Sequence, residues 1–105
     1  MTKLAEQEKI VLDLHGAFIR RTSLRRADLT RANLSNADCT GADLSETDLT
    51  DANLTGTILA RADLSRANFL RTRLDGADLR GATLTGSRNL TKEQLSRAIV
   101  DDNTV

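Results

Sequence analysis

Few residues of this 105-residue chain could do chemistry, and their spacing limits what they can do. His15 is the single histidine, and no motif sets a serine or cysteine nucleophile beside it, so a solvated or capping role is expected. Cys39 is the single cysteine. It reads as a small buried hydrophobe, with a reactive thiol as the alternative. Aspartates recur twenty residues apart, as Asp28 with Asp48 and Asp43 with Asp63, which could suggest a cation ladder. They lack the glycine-turn loops that wrap calcium. The expectation is that they bond local backbone at corners, as Asp and Asn do in turns. No glycine-rich phosphate loop runs from a strand into a helix, and there is no Cys/His cluster. The sequence thus predicts no catalysis, no cofactor and no metal. One group does stand out: Arg20, Arg21, Arg25, Arg26 and Arg31 are placed to meet an acidic partner.

The element that must position all of these is a five-residue unit, repeated fourteen times over residues 17–86. Its central residues run Ile19, Leu24, Leu29, Leu34, Cys39, Leu44, Leu49, Leu54, Leu59, Leu64, Phe69, Leu74, Leu79 and Leu84. Two residues before each stands Ala, or Thr at Thr22, Thr47, Thr57 and Thr72. A helix turns about 100° per residue, so a step of five would scatter the leucines around the cylinder. A strand alternates faces, so an odd step would send successive leucines to opposite sides. A chain that turns a corner every five residues buries them all. Stacked turns then share the core that one turn cannot form alone.

The units Ala27–Arg31, Ala32–Asn36, Ala42–Glu46, Ala52–Gly56 and Ala62–Arg66 resemble the pentapeptide repeat family, whose consensus is A-(D/N)-L-x-x. The resemblance implies an all-β fold: a right-handed quadrilateral β-helix with four units per coil and about four coils. Leucines would fill the axis, with Ala or Thr near the corners.

Composition agrees with a narrow tube. The chain has room for one domain. Aromatic residues make up 2%, just Phe18 and Phe69, and proline is absent, which suits a backbone that needs its amide donors between coils. Fifteen basic residues balance fifteen acidic ones, so net charge argues for neither nucleic acid nor membrane. The early apolar run Ile10–Val11–Leu12 is too short for a signal core or a membrane span. One cysteine cannot close an internal disulfide, and the cytoplasm is the expected compartment.

The ends are read separately. Residues 1–16 are expected to hold an N-terminal cap over residues 2–10 and a degenerate first repeat at Val11–Gly16, with Leu12 and Leu14 inward. An uncovered coil end would be an open sheet edge. Residues 87–105 break the repeat at Ser87–Asn89 and are expected to form a capping helix and a tail. Thr91 with Gln94 makes a capping box, and Leu90 with Leu95 a hydrophobic staple. Leu95, Ala98 and Ile99 extend the expected helix over residues 92–99, and residues 101–105 read as a frayed tail.

Outward residues twenty apart stack in columns about 4.8 Å apart. Residues 14–33 carry five arginines and one aspartate; residues 34–53 carry five acids and no base; residues 54–73 carry four arginines and one aspartate. These alternating bands read first as a register device and second as a contact surface. Phe18 and Ile58 stand at outward positions that elsewhere are polar, with Asp38 between them. Packing of Phe18 against the N-terminal segment, or of both against a second chain, are the two options. The functional expectation is a non-catalytic repeat scaffold, a protein–protein interaction module with a protein partner. It would be a monomer or a weak dimer through a coil end or the Phe18/Ile58 side. The alternatives are a DNA-mimic regulator of a type II topoisomerase, as some relatives of the resembled family are, direct phosphate binding by the arginine bands, and a purely structural subunit. Mimicry needs continuous negative potential, and the acidic band here is one coil deep, in a rod of roughly 18 Å.

Overall fold

A computed structural model describes residues 11–105. The cap expected over residues 2–10 lies outside them. The chain turns a corner every five residues, and each turn ends in a left-handed residue. Gly16, Arg21, Arg26 and Arg31 have φ of 68°, 55°, 63° and 62°, and the same position stays left-handed along the coil. The amide after it bonds back across the corner, as Ala17 N–H donates to the Leu14 carbonyl at 3.0 Å. Positive φ at the third residue with a bond from fourth to first is the signature of a type II turn. Glycine suits that position, yet arginine, glutamate and aspartate also hold it here.

Four such sides make one coil. The parallel bridges step by twenty: Asp13 pairs with Asn33, Asn33 with Asn53, and Asn53 with Arg73. Each rung is held by backbone bonds, for example Leu34 N–H to the Asn53 carbonyl and Asn36 N–H to the Thr55 carbonyl, both at 2.9 Å. We number the sides by their inward residues. Side 1 holds Leu14, Leu34, Leu54 and Leu74; side 2 holds Ile19, Cys39, Leu59 and Leu79. Side 3 holds Leu24, Leu44, Leu64 and Leu84; side 4 holds Leu29, Leu49 and Phe69.

Nearly all these side chains are buried, and Leu14 and Leu24 of the first coil are half-buried. Ala32, Ala37, Ala42, Ala52, Ala62, Ala67, Ala77 and Ala82 lie beside them, fully enclosed. Each buried leucine contributes about 1.5–3 kcal/mol. Where threonine replaces alanine its hydroxyl is satisfied: Thr57 Oγ1 donates to the Leu34 carbonyl at 2.7 Å and Thr72 Oγ1 to the Leu49 carbonyl at 2.6 Å. Leu12 departs from expectation. Its carbonyl accepts from Asn33 N–H at 2.9 Å, so its backbone is in register, but its side chain is 47% exposed. It occupies the corner position sized elsewhere for Ala or Thr.

At the far end the capping box forms: Gln94 N–H donates to Thr91 Oγ1 at 3.1 Å, and Thr91 N–H to Gln94 Oε1 at 2.7 Å. It starts helix α1, Lys92–Ser96. Gln94 Nε2 also donates to the carbonyls of Phe69 and Thr72, at 2.8 and 2.9 Å, taking the place of a further coil's backbone. Two expectations are corrected here. The helix stops at Ser96 rather than residue 99, because Ile99 is drawn into a bridge with Asp78, its amide donating to the Ala77 carbonyl at 2.7 Å. The tail is not frayed either. Val105 N–H donates to the Ala82 carbonyl at 3.0 Å, Thr104 Oγ1 to the Leu79 carbonyl at 2.7 Å, and Asp101 Oδ1 accepts from Gly81 N–H at 3.1 Å. It continues the coil as part of one more turn.

Candidate interaction surface

On each rung the residues flanking the inward leucine point outward. The leading one is usually Asp or Asn and the trailing one Ser or Thr. The first accepts from both the backbone and the hydroxyl of the second: Asp38 Oδ1 takes Thr40 N–H at 3.1 Å and Thr40 Oγ1–H at 2.6 Å. The same clasp joins Asp28 to Thr30, Asn33 to Ser35, Asp43 to Ser45, Asp48 to Thr50, Asn53 to Thr55 and Asp63 to Ser65. Hydrogen bonds from the trailing hydroxyl and then the amide hold the carboxyls of Asp28, Asp38 and Asp43 below their ordinary range. These carboxylates are thus engaged with local backbone, as the sequence indicated. Among the described residues no group of His, Cys, Asp and Glu is arranged to hold a metal ion.

The five arginines do not share one plane. Arg20 and Arg21 stand at the corner of sides 2 and 3, Arg25 and Arg26 at the next, and Arg31 at the corner of sides 4 and 1. They form an arc around three corners of the first coil. Three of them are already engaged with the acidic coil beneath. Arg20 Nε lies 3.6 Å from Asp38 Oδ2; Arg25 Nη2 and Arg26 Nε lie 3.1 and 3.5 Å from the Glu46 carboxylate. Arg66 Nη2 reaches Glu46 from the other side at 3.5 Å. Glu46 is therefore a hub for three guanidiniums, with Arg25 first among the groups that hold its carboxyl below the ordinary range. Among the described residues, Arg21 and Arg31 make no ion pair within 4 Å. The stem of Arg21 lies over Gly41, where an added Cβ would meet its Cγ at 3.4 Å.

Phe18 and Ile58 both point out of side 2, with Asp38 on the rung between them. Phe18 is 89% exposed and Ile58 39%. They are separate from the arginine arc except at Arg20, which belongs to both.

Two other residues were candidates for chemistry. Cys39 is fully enclosed on side 2, and burial pushes its thiol up to about 11, so it is a core residue. His15 has a neighbour that motif reading does not find: its Nδ1 lies 2.9 Å from Ser35 Oγ, one coil away. The twenty-residue step alone would have revealed it. Ser35 gives its proton to Asn33 Oδ1 at 2.7 Å, so its oxygen accepts from the imidazole. That polarity is the reverse of a base activating a nucleophile.

The chain matches the Pentapeptide repeats family in eight copies over residues 13–51 and 47–86. Among solved structures it is similar to a pentapeptide repeat protein of the Arabidopsis thaliana thylakoid lumen, at 32% identity and a TM-score of 0.73, over 77% of this chain and 56% of that one. It also matches HetL, a pentapeptide repeat protein involved in heterocyst differentiation regulation in Nostoc sp. strain PCC 7120, at 26% identity and a TM-score of 0.48, over 85% and 46%. A third match is QnrB1, a plasmid-mediated fluoroquinolone resistance protein, at 21% identity and a TM-score of 0.47, over 86% and 60%. The chain spans about half the length of the first two. No curated protein matches it in sequence.

Proposed function

From the premise that this chain belongs to the pentapeptide repeat family, with the right-handed quadrilateral β-helix its members imply, we propose that it is a non-catalytic scaffold binding another protein. The observation that carries this reading is the contrast between its clasped and its free outward groups. Most aspartates are tied to their own rung, which leaves a rigid surface whose unengaged features in the first coil, among the described residues, include the guanidiniums of Arg21 and Arg31 and the ring of Phe18. Rigid elements present such groups at little entropic cost on binding. In this reading Arg20 and Arg21, at the corner of sides 2 and 3, meet an acidic protein surface, Arg31 offers a separate contact at the opposite corner, and Arg25 and Arg26 serve mainly to fix coil register through Glu46. The compartment proposed is the cytoplasm, consistent with a single reduced thiol.

The test is an affinity capture with the native chain beside Arg21→Glu/Arg31→Glu, both checked for fold by circular dichroism. A protein held by the native chain and lost from the variant supports the reading. One held equally by both moves the contact off the arginine arc. A supercoiling assay run in parallel addresses the topoisomerase alternative, for which inhibition is not expected. The arginines bonded through Glu46 and Asp51 interrupt the negative potential that DNA mimicry requires.

A further inference from the structure

Side 2 repeats itself every two coils. Its first and third rungs lead with an exposed apolar residue, Phe18 and Ile58, and end at the corner with an arginine, Arg21 and Arg61. Its second and fourth lead with Asp38 and Asp78 and end with Gly41 and Gly81. Those two acids are occupied on the same side: Arg20 Nε lies 3.6 Å from Asp38 Oδ2, and Arg80 Nη2 2.9 Å from Asp78 Oδ2. Arg21 and Arg61 make no ion pair within 4 Å among the described residues. The bridge from Asp78 to Ile99 adds a fifth rung, which again leads with an exposed apolar side chain. Phe18, Ile58 and Ile99 therefore form a column at intervals of two rungs, about 9.6 Å. The leading residues of the other three sides are polar throughout their first four rungs.

Glycine sets the posture of the arginines. A Cβ at Gly41 would meet Arg21 Cγ at 3.4 Å, and one at Gly81 would meet Arg61 Cγ at 3.1 Å. Each stem lies over the glycine below it and carries its guanidinium about one rung down the corner. Between the apolar and arginine columns the floor is low, with Thr40 and Ala60 trailing on the two middle rungs. Thr40 Oγ1 gives its proton to Asp38 at 2.6 Å, so the floor asks for no polar partner.

These dimensions match an α-helix laid along the coil axis. Seven helical residues rise about 10.5 Å, within about 1 Å of the two-rung interval. A residue three further on shares the helix face about 4.5 Å along, close to the one-rung drop from each apolar residue to the guanidinium beside it. A helix with its side chains is about 10–12 Å across, as wide as the three residue steps of about 10 Å from Phe18 to Arg21. An extended strand repeats one face about every 6.6 Å and falls out of step. The unpaired charges of the first four rungs are both positive, so those of the occupant are negative.

We propose that side 2 is the docking face for an acidic amphipathic helix of a protein partner, with an apolar residue every seven and an acidic one three away from each of the first two. The turn below Gly81 carries Asp101 and Asp102, so the acidic pairing stops at Arg61 and the third apolar residue meets Ile99 alone. This rests on the reading that the chain binds a protein, and it names the chemistry of that partner.

Fluorescence anisotropy of the full chain with a labelled alanine-rich peptide of about three heptads tests it. The peptide carries leucine at every seventh position and glutamate three residues after each of the first two. Saturable binding below about 1 mM is expected, weakened at least about tenfold by Arg21→Glu/Arg61→Glu and by Phe18→Ser/Ile58→Ser. Glutamate already holds this corner conformation at Glu46, with φ of 59°, so circular dichroism should be unchanged. Exchanging the glutamates of the peptide for lysine should restore binding to the arginine-reversed variant. Several results would overturn the assignment: no saturation, equal binding of a peptide with leucine every fifth residue, or indifference to Phe18→Ser/Ile58→Ser. So would tighter binding of a short DNA duplex, or of a polyproline peptide with leucine and glutamate every third residue, whose repeat is about 9.3 Å. If affinity capture then still returns a protein lost from Arg21→Glu/Arg31→Glu, the scaffold reading stands and the helix assignment alone falls.

Discussion

Arg71 and Asp51, twenty residues apart, meet in a two-point ion pair between successive coils, Nε to Oδ1 at 2.7 Å and Nη2 to Oδ2 at 3.1 Å. With Glu46, this pair shows what the alternating charge bands do within one molecule: they tie each coil to the next in a single register. Asp51→Asn should lower the melting temperature slightly in low salt. The gap from the native chain should close near 1 M salt, where the screening length falls to about 3 Å. A salt-independent gap would mean that the loss is not electrostatic.

The core makes a sharper demand. Leu59 is fully enclosed, and the coil cannot close around a missing side chain without breaking its ladder. Leu59→Ala should cost about 2–5 kcal/mol. Leu24→Ala, at a half-buried position of the first coil, should cost clearly less. Urea unfolding of the two variants ranks them.

Left-handed corners held by side chains other than glycine are a reserve of stability. Arg61 has φ of 58° and makes no ion pair among the described residues. Arg61→Gly should stabilise the fold by about 1 kcal/mol. Gly86→Ala should destabilise it, since the residue has φ of 70° and its new Cβ would meet Arg66 Cγ at 3.0 Å. Equal and opposite shifts in urea midpoint are the expected pattern.

Acid should unfold the coil through its clasps. The folded carboxyls of Asp28, Asp38 and Asp43 lie below the ordinary value of 3.8. Their contribution is therefore complete above that value and is lost as pH falls through the depressed folded one. Stability should be level from neutral pH down to about 5 and decline below about 4. Thr40→Ala should raise the Asp38 titration toward the ordinary value in an NMR titration, because the hydroxyl bond is its largest cause.

Cys39 should be inert in the native protein. Its thiol is enclosed and pushed up to about 11, so a thiol reagent at mild alkaline pH should label it only after denaturant is added. Labelling at native conditions would place the side chain elsewhere.

Much of this was readable because one rule, small residue then polar then leucine, repeats without a gap. Period five determined which side chains turn inward, and period twenty determined which outward residues stack. The clasp of Asp38 with Thr40 followed from ordinary turn chemistry. What was not legible lies where the rule lapses. Ile99 looks helical by spacing to Leu95, but the open edge beside Asp78 offers its backbone a bridge that an eighth helical residue could not make. The tail likewise lacks the repeat motif yet bonds to Ala82 and Leu79 through backbone and hydroxyl groups that any sequence could supply in part. The five arginines are one run in sequence but an arc in space, because three corners intervene. The Ser35 hydroxyl beside His15 belongs to another coil and is hidden from any local motif.

The constant twenty-residue step has a bearing on how the chain is made. Each ladder bond, from Leu14 with Asn33 to Leu64 with Thr83, closes a loop of nearly the same length. The entropy lost in closing it is therefore the same at every level. No long-range junction has to wait for distant parts of the chain. A coil can settle on the one before it as synthesis proceeds, and residues 97–105 lie down on the coil beneath them in the same order.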